Sequence, residues 1–303
     1  MNFLNLIRWK NLIMIALIQV LLKYALFEPF GVAVTLNGFG FGLLVLATLC
    51  IAAAGNIIND IHDVDADTVN NPETVIIGIA ISEKSAFNWF IAFNILGVAI
   101  GFYLSNLVGR SGFSIVFVGI SILLYLYASS LKQMLIIKNL IVSILVAMSL
   151  IIVALFDLLP AITPLNQPTQ LTLFRIVLDY ALFAFGINLI REVVKDLQDV
   201  NGDHKAGLNT LPIAIGKERT TKVVFTLLVF FTGAIFYYVI TYLYKQQMAV
   251  GYFLLFVIAP LIYASIKLFQ AETNAEFDHV STILKFTMLL GMLSLLLYPF
   301  ILK

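Results

Sequence analysis

The stretch Leu43-Leu44-Val45-Leu46-Ala47-Thr48-Leu49-Cys50-Ile51-Ala52-Ala53-Ala54-Gly55-Asn56-Ile57-Ile58-Asn59-Asp60-Ile61-His62-Asp63-Val64-Asp65-Ala66-Asp67 decides the fold. Its first part carries no charge, and with the residues from 38 onward it matches the roughly 17–25 apolar residues that a helix needs to cross a bilayer. It then turns abruptly acidic. Eight further apolar runs of comparable length flank it, giving expected spans at 12–29, 38–61, 85–107, 111–129, 138–160, 172–191, 220–243, 250–268 and 283–302. Each span must satisfy its own backbone in hydrocarbon, so helices are expected rather than strands. The fold class is therefore all-α: a polytopic membrane protein with about nine transmembrane helices in one bundle, read as a single membrane domain over 1–303.

Composition agrees. Hydrophobic residues make up 61% of the 303 and charged residues 12%, against roughly 45–50% and 25% in soluble domains, which excludes a soluble globule. With 18 basic and 17 acidic side chains there is no overall field to attract nucleic acid. The lone Cys50 excludes an internal disulfide framework. No small-residue cleavage site follows the first apolar run, so it reads as a retained helix rather than a signal peptide. The basic residues, among them Arg8, Lys10, Lys84, Lys132, Lys138, Arg191, Lys195 and Lys205, concentrate on one side of the nine spans, while Arg110, Arg175, Lys245 and Lys303 lie on the other. By the positive-inside rule the first side, with the N-terminus, is expected in the cytoplasm of a plasma-membrane protein. Lys23 lies inside the first span and either snorkels or faces the bundle interior. Long loops are expected at 62–84 and 195–219, both on the charged side.

The acidic end of the second span has a counterpart. The sixth ends in Arg191-Glu192-Val193-Val194-Lys195-Asp196-Leu197-Gln198-Asp199-Val200-Asn201-Gly202-Asp203. Both segments place aspartates at i, i+3 and i+7: Asp60, Asp63 and Asp67 in one, Asp196, Asp199 and Asp203 in the other. At about 100° per residue each trio falls in one narrow helical sector, shared with Asn56 and Glu192. Asp65 points the opposite way. Asn201-Gly202 reads as a helix stop, with Asp203 just past it. Three carboxylates on one helix face repel one another unless a cation neutralises them, and oxygen-only ligands select a hard ion such as Mg²⁺. Two equal clusters suggest facing walls of one cavity, with metals bridging a diphosphate between them. A diphosphate so held is a good leaving group, and its organic half would lie in the water-poor bundle. Together these imply a lipid diphosphate.

Asn59-Asp60-x-x-Asp63-x-x-x-Asp67, paired with Asp196-x-x-Asp199-x-x-x-Asp203 on nine helices, resembles the UbiA-type intramembrane prenyltransferase superfamily over essentially the whole chain. The stretch from Arg191 through Gly207-Leu208-Asn209-Thr210-Leu211-Pro212 to Gly216 is most similar to its digeranylgeranylglyceryl phosphate synthase branch. The resemblance implies Mg²⁺-dependent transfer of an isoprenoid, geranylgeranyl in that branch, from its diphosphate to the hydroxyl of geranylgeranylglyceryl phosphate. It implies that Asp60, Asp63, Asp67, Asp196, Asp199 and Asp203 bind metal. It also places Arg8, Asn11, Lys132 and Asn139 where the family has diphosphate-binding and structural polar residues. One departure stands out: the family's Asn-Arg-Pro-x-Arg-Pro is here Asn70-Asn71-Pro72-Glu73-Thr74-Val75, without either arginine. Lys84, Lys132, Lys195 or Lys205 are the candidates to replace them.

Other roles stay open on the sequence. Asn56, Asn59 and Glu192 are either diphosphate-site residues or local hydrogen-bonding groups. Lys195 either steadies the diphosphate or forms an i,i+4 pair with Asp199. Glu192, or a water held by Asn56, is a candidate to take the acceptor's proton. His62 falls outside the aspartate sector and reads as a surface residue. Gly97-x-x-x-Gly101 reads as a close helix contact. Some of the 25 phenylalanines and 12 tyrosines are expected to line a tunnel for the prenyl cation. Prenylation of an aromatic quinone precursor is the alternative chemistry, and a cation transporter or channel built on the aspartates is the alternative class.

Overall fold

A computed structural model describes residues 1–70 and 72–301. Asn71, in the stretch that departs from the family pattern, Leu302, the last residue of the ninth expected span, and Lys303, one of the basic residues expected on the opposite side, lie outside the described residues. Among the described residues nine helices are long and apolar enough to cross a membrane: α1 (Trp9–Phe30), α2 (Gly38–Asn70), α3 (Glu83–Leu107), α4 (Ser111–Ser129), α5 (Ile137–Ala161), α6 (Gln167–Lys205), α7 (Lys217–Tyr242), α8 (Gln247–Gln270) and α9 (Asn274–Phe300). The only extended pairing among them is an isolated bridge between Ile77 and Ile81. The expected all-helical, multi-pass architecture is therefore observed. Large apolar side chains such as Ile95, Ile115 and Phe230 project outward, as a lipid environment requires.

Helix lengths differ from expectation at the sites that matter most. α2 and α6 have 33 and 39 residues, about 50 and 60 Å at 1.5 Å per residue, well beyond the ~30 Å hydrocarbon core. The expected loops at 62–84 and 195–219 are thus largely helical, and both aspartate trios sit on continuous helix. Asn201-Gly202 is not a stop. The helix runs to Lys205 and ends where Gly207, at φ +71°, lets the Gly207 and Leu208 amides donate back to His204 and Asp203. A polar helix beyond the membrane has no hydropathy signal, which is why its length escaped a reading based on apolar runs.

α6 belongs to both main clusters of buried side chains. Leu173, Val177 and Ala181 pack with residues of α1, α2 and α5, whereas Ile187, Val194 and Leu197 pack with α7, α8 and α9. α2 packs along α3 and α6. Gly97 and Gly101 make the expected close contacts: a Cβ at Gly97 would lie 2.7 Å from the Ile51 side chain and 3.1 Å from the Ala47 carbonyl, and one at Gly101 would overlap the Phe117 ring. α8 widens to a π turn over Leu254–Ile258 just before Pro260, whose ring cannot coexist with regular i→i−4 bonding.

Lys23 faces the interior. It is 2% exposed and donates to the Leu36 carbonyl at 2.6 Å and to Asp157 Oδ2 at 3.0 Å, while Asp157 Oδ1 accepts from the Leu36 amide at 2.9 Å. Every charge in this knot is matched by an opposite charge or a backbone group, the condition under which a buried ion pair is tolerated. It joins α1, the segment before α2 and the end of α5.

Candidate active site

The N-terminal segment and the α4–α5 connection bring cations to the aspartates. Arg8 and Ile136 are the two non-glycine residues with positive φ among those described, at +52° and +64°. Such strain persists only where surrounding contacts over-determine it. At Arg8 it bends the chain between the short helix Asn2–Leu6 and α1, and the guanidinium donates to Asp60 Oδ1 at 2.7 Å. Burial opposes the charge on Arg8, but attraction to Asp60 and then Asp63 outweighs it and raises its pKa further above the ordinary arginine value. At Ile136 the strained turn separates Lys132, whose Nζ lies 2.5 Å from Asp63 Oδ1, from Lys138. Lys138 is shared between Asp196, at 2.7 Å, and Asp203, at 3.3 Å.

Beyond these ion pairs, Asn59 donates to Asp63 Oδ2 at 2.6 Å, and Asn139 donates to Asp196 Oδ2 at 2.8 Å. Asp67 and Asp199 have neither an ion pair nor a side-chain hydrogen bond among the described residues. Asn70 ties the two helices together. Its Oδ1 accepts from the Gly202 amide at 2.8 Å and its Nδ2 donates to the Asp199 carbonyl at 3.1 Å. The two motifs, 136 positions apart in sequence, are thereby held face to face.

Below them lies a cavity of about 270 Å³. Its polar end carries Arg8, Asn11, Arg191, Glu192, Lys195 and Lys285, with Asn56 and Asn59. Residues such as Ile18, Ile51, Leu124, Leu150 and Met292 make the rest apolar, and Phe117 and Tyr127 are the aromatic side chains on its wall among the described residues. The six aspartates are not on that wall; they stand farther along the same two helices. Glu192 is the one carboxylate on it among the described residues.

Several open assignments resolve. Lys195 pairs with Glu192 Oε1 at 3.1 Å, not with Asp199, and Arg191 reaches the same oxygen at 3.2 Å. Asn56 donates to the Ile7 carbonyl at 3.0 Å and so anchors the N-terminal segment as well as lining the cavity. His62 and Asp65 are exposed, and His62 Nδ1 meets only the Ile58 carbonyl of its own helix. Lys84 and Lys205 are exposed without an ion pair among the described residues, whereas Lys132 and Lys138 meet aspartates of the two motifs. On the sequence alone Lys138 reads only as a side-determining charge, and Lys285 is not singled out. The signal available for Lys138 was its place beside Asn139 at the start of α5; Lys285 had none.

Among the described residues no three Asp, Glu, His or Cys side chains converge into a ready-made metal cage. Of the six aspartates expected as ligands, Asp60, Asp63, Asp196 and Asp203 hold Arg8, Lys132 and Lys138, and the Asp67 and Asp199 side chains are open among the described residues. Buried Asn59 Oδ1 has no hydrogen-bond partner. The open carboxylates and the orphaned amide oxygen are all hard oxygen donors. They suit an ion that takes one or two carboxylates and completes its shell with phosphate oxygens and water.

Residues 16–289 match the model of the UbiA prenyltransferase family. The chain belongs to that family. UbiA relatives similar to it include the digeranylgeranylglyceryl phosphate synthase of Korarchaeum cryptofilum, 32% identical over 265 residues and 86% of each chain. That of Methanosphaera stadtmanae is 27% identical over 258 residues, 83% of this chain and 86% of the relative. Among solved UbiA-fold structures, a digeranylgeranylglyceryl phosphate synthase superposes with a TM-score of 0.64 at 23% identity, covering 98% of this chain and 97% of the other. A UbiA homologue from Archaeoglobus fulgidus bound to GPP and Mg²⁺ superposes with a TM-score of 0.57 at 18% identity, covering 97% and 99%. UbiA membership sets aside the transporter reading.

Proposed function

We propose that this chain transfers a geranylgeranyl group from its diphosphate to the free hydroxyl of geranylgeranylglyceryl phosphate, forming an ether lipid. The observation that carries the reading is the pair of aspartate helices, joined at Asn70 above a cavity that is cationic at one end and apolar at the other. It is supported by alignment over 86% of the chain with a digeranylgeranylglyceryl phosphate synthase. The chain would act as one membrane domain over 1–303, with its N-terminus and the aspartate end on the cytoplasmic side of the plasma membrane. The excess of basic residues at that end supports this orientation.

In this reading Asp60, Asp63, Asp67, Asp196, Asp199 and Asp203 form the metal and diphosphate site, with Asp67, Asp199 and Asn59 Oδ1 the most available oxygens. Mg²⁺ bound there would neutralise the charge that develops on the departing diphosphate. Arg8, Lys132 and Lys138 exchange part of their contact with carboxylates for phosphate oxygens, so the leaving group meets cations already in place. The apolar wall holds the isoprenoid and excludes water, and Phe117 and Tyr127, the aromatic side chains on that wall among the described residues, are the candidates to stabilise a cationic carbon. The donor C1–O bond breaks with its electrons going to the diphosphate. The acceptor oxygen forms the new C–O bond and passes its proton to Glu192, the carboxylate on the cavity wall. Arg191 and Lys195 fix that carboxylate in place.

Purified protein supplied with Mg²⁺ and geranylgeranyl diphosphate, and offered geranylgeranylglyceryl phosphate, glycerol phosphate or hydroxynaphthoate, tests the reading by mass spectrometry. A di-ether product abolished by Asp63→Ala and by Asp199→Ala is expected. Prenylation of hydroxynaphthoate alone would overturn the lipid assignment.

A further inference from the structure

The cavity carries more positive charge than its carboxylates balance. Arg8, Arg191, Lys195 and Lys285 line it; Asp60 balances Arg8, and Glu192 is shared by Arg191 and Lys195. Lys285 has no acidic partner among the described residues and donates to Asn11 Oδ1 at 2.8 Å. Arg191 Nε is buried with no hydrogen-bond partner. Two positive charges are therefore left over, beside two donor groups suited to an incoming oxygen. Asn11, Arg191, Lys195 and Lys285 come from three helices, α1, α6 and α9, that meet at this cavity. Arg191, Lys195 and Lys285 touch none of the six aspartates, whereas Lys132 and Lys138 are bound up with them.

We infer that Lys285 and Arg191, with Asn11 and Lys195 beside them, form a binding site for the phosphate monoester of the acceptor, separate from the donor's diphosphate site. This rests on the prenyl-transfer reading above and specifies the acceptor class that the site selects. The charge balance distinguishes the ligand: a phosphate monoester carries about −1.5 to −2 near neutral pH and matches the surplus, whereas a carboxylate would leave a cation unsatisfied in a water-poor pocket. The arginine supplies a planar fork suited to two phosphate oxygens, and the lysine a point charge. Arg8 lies between the two anion sites, one turn from Asn11 on the same segment and bonded to Asp60 of the first motif. An acceptor anchored by its phosphate at Lys285 would therefore hold its hydroxyl toward Glu192 and the donor carbon.

The test is equilibrium binding of geranylgeranylglyceryl phosphate, and of the same lipid after phosphatase treatment, to the full chain in lipid nanodiscs without donor. It is run with wild type, Lys285→Met and Lys285→Arg. Charged hydrogen bonds of this kind correspond to roughly 10- to 100-fold in affinity. The wild type should prefer the phosphorylated lipid by that factor, Lys285→Met should erase most of the preference, and Lys285→Arg should restore it. No preference in the wild type, or an equal preference in Lys285→Met, overturns the site. So does a rise confined to the KM for the prenyl diphosphate, which would assign these cations to the donor. Because the binding arm needs no turnover, absence of any prenylated product would count against the function proposed above while leaving this result to stand or fall alone.

Discussion

Gly202→Ala should loosen the clamp between the two aspartate helices, and the outcome can be worked from the structure. A Cβ on residue 202 would stand 2.6 Å from the Ala66 carbonyl oxygen and closer still to the Asn70 amide. Asn70 could swing aside, but Ala66 O is backbone, so α2 and α6 would have to part by several tenths of an ångström. The displaced amide would give up bonds to the Gly202 amide and the Asp199 carbonyl, each about 0.5–1.5 kcal/mol. Overpacking adds about 1–3 kcal/mol, while alanine recovers about 1 kcal/mol of helix propensity. The net is about 1–5 kcal/mol of destabilisation, centred near 3, where an unconstrained Gly→Ala in a helix would stabilise. Gly202 lies between Asp199 and Asp203, so the shift also moves the metal and diphosphate ligands, and a displacement approaching 1 Å costs on the order of 100-fold in rate. The assays are thermal unfolding in detergent and the initial rate of prenyl transfer across a Mg²⁺ titration. A variant that unfolds at or above the wild-type temperature with unchanged rate would refute the reasoning. In the double variant with Asn70→Ala, the Ala66 contact persists and rescue should be partial; full rescue would place the strain in the Asn70 side chain alone.

Lys23→Met should lower the unfolding temperature sharply, since it strands a fully buried Asp157 at a cost of about 3–5 kcal/mol. Adding Asp157→Asn should recover most of the loss, because an amide oxygen can still accept from the Leu36 amide; no recovery would mean that the charge is not what matters. Lys138→Met removes the cation shared by Asp196 and Asp203. The lysine side chain is 15% exposed, so the cost should be nearer 2 kcal/mol than the value for a sealed pair. The KM for prenyl diphosphate should also rise by about tenfold or more, with Lys138→Arg restoring much of it; an unchanged KM would remove Lys138 from the site.

Much of this molecule is local information. A bilayer-spanning run announces itself by its own residues, and so does a trio of aspartates at i, i+3 and i+7, because both follow from helix rise and period. The same locality explains what failed. Asn201-Gly202 carries the composition of a helix end, yet the glycine serves a contact with Ala66 and Asn70, more than 130 positions away. Lys195 has an acceptable i,i+4 partner in Asp199 and chose Glu192, because that carboxylate is held by Arg191 at the cavity wall.

From its order of residues alone the chain determined about nine apolar spans, two matched acidic faces and the family to which they belong, since hydropathy and helical spacing are properties of short segments. Only the tertiary structure decided which cation meets which carboxylate. Lys138 reaches α6 and Lys285 reaches Asn11, 274 residues away, through packing that depends on the whole bundle. The surplus charge left in the cavity is likewise a balance among α1, α2, α6 and α9 that no single segment contains.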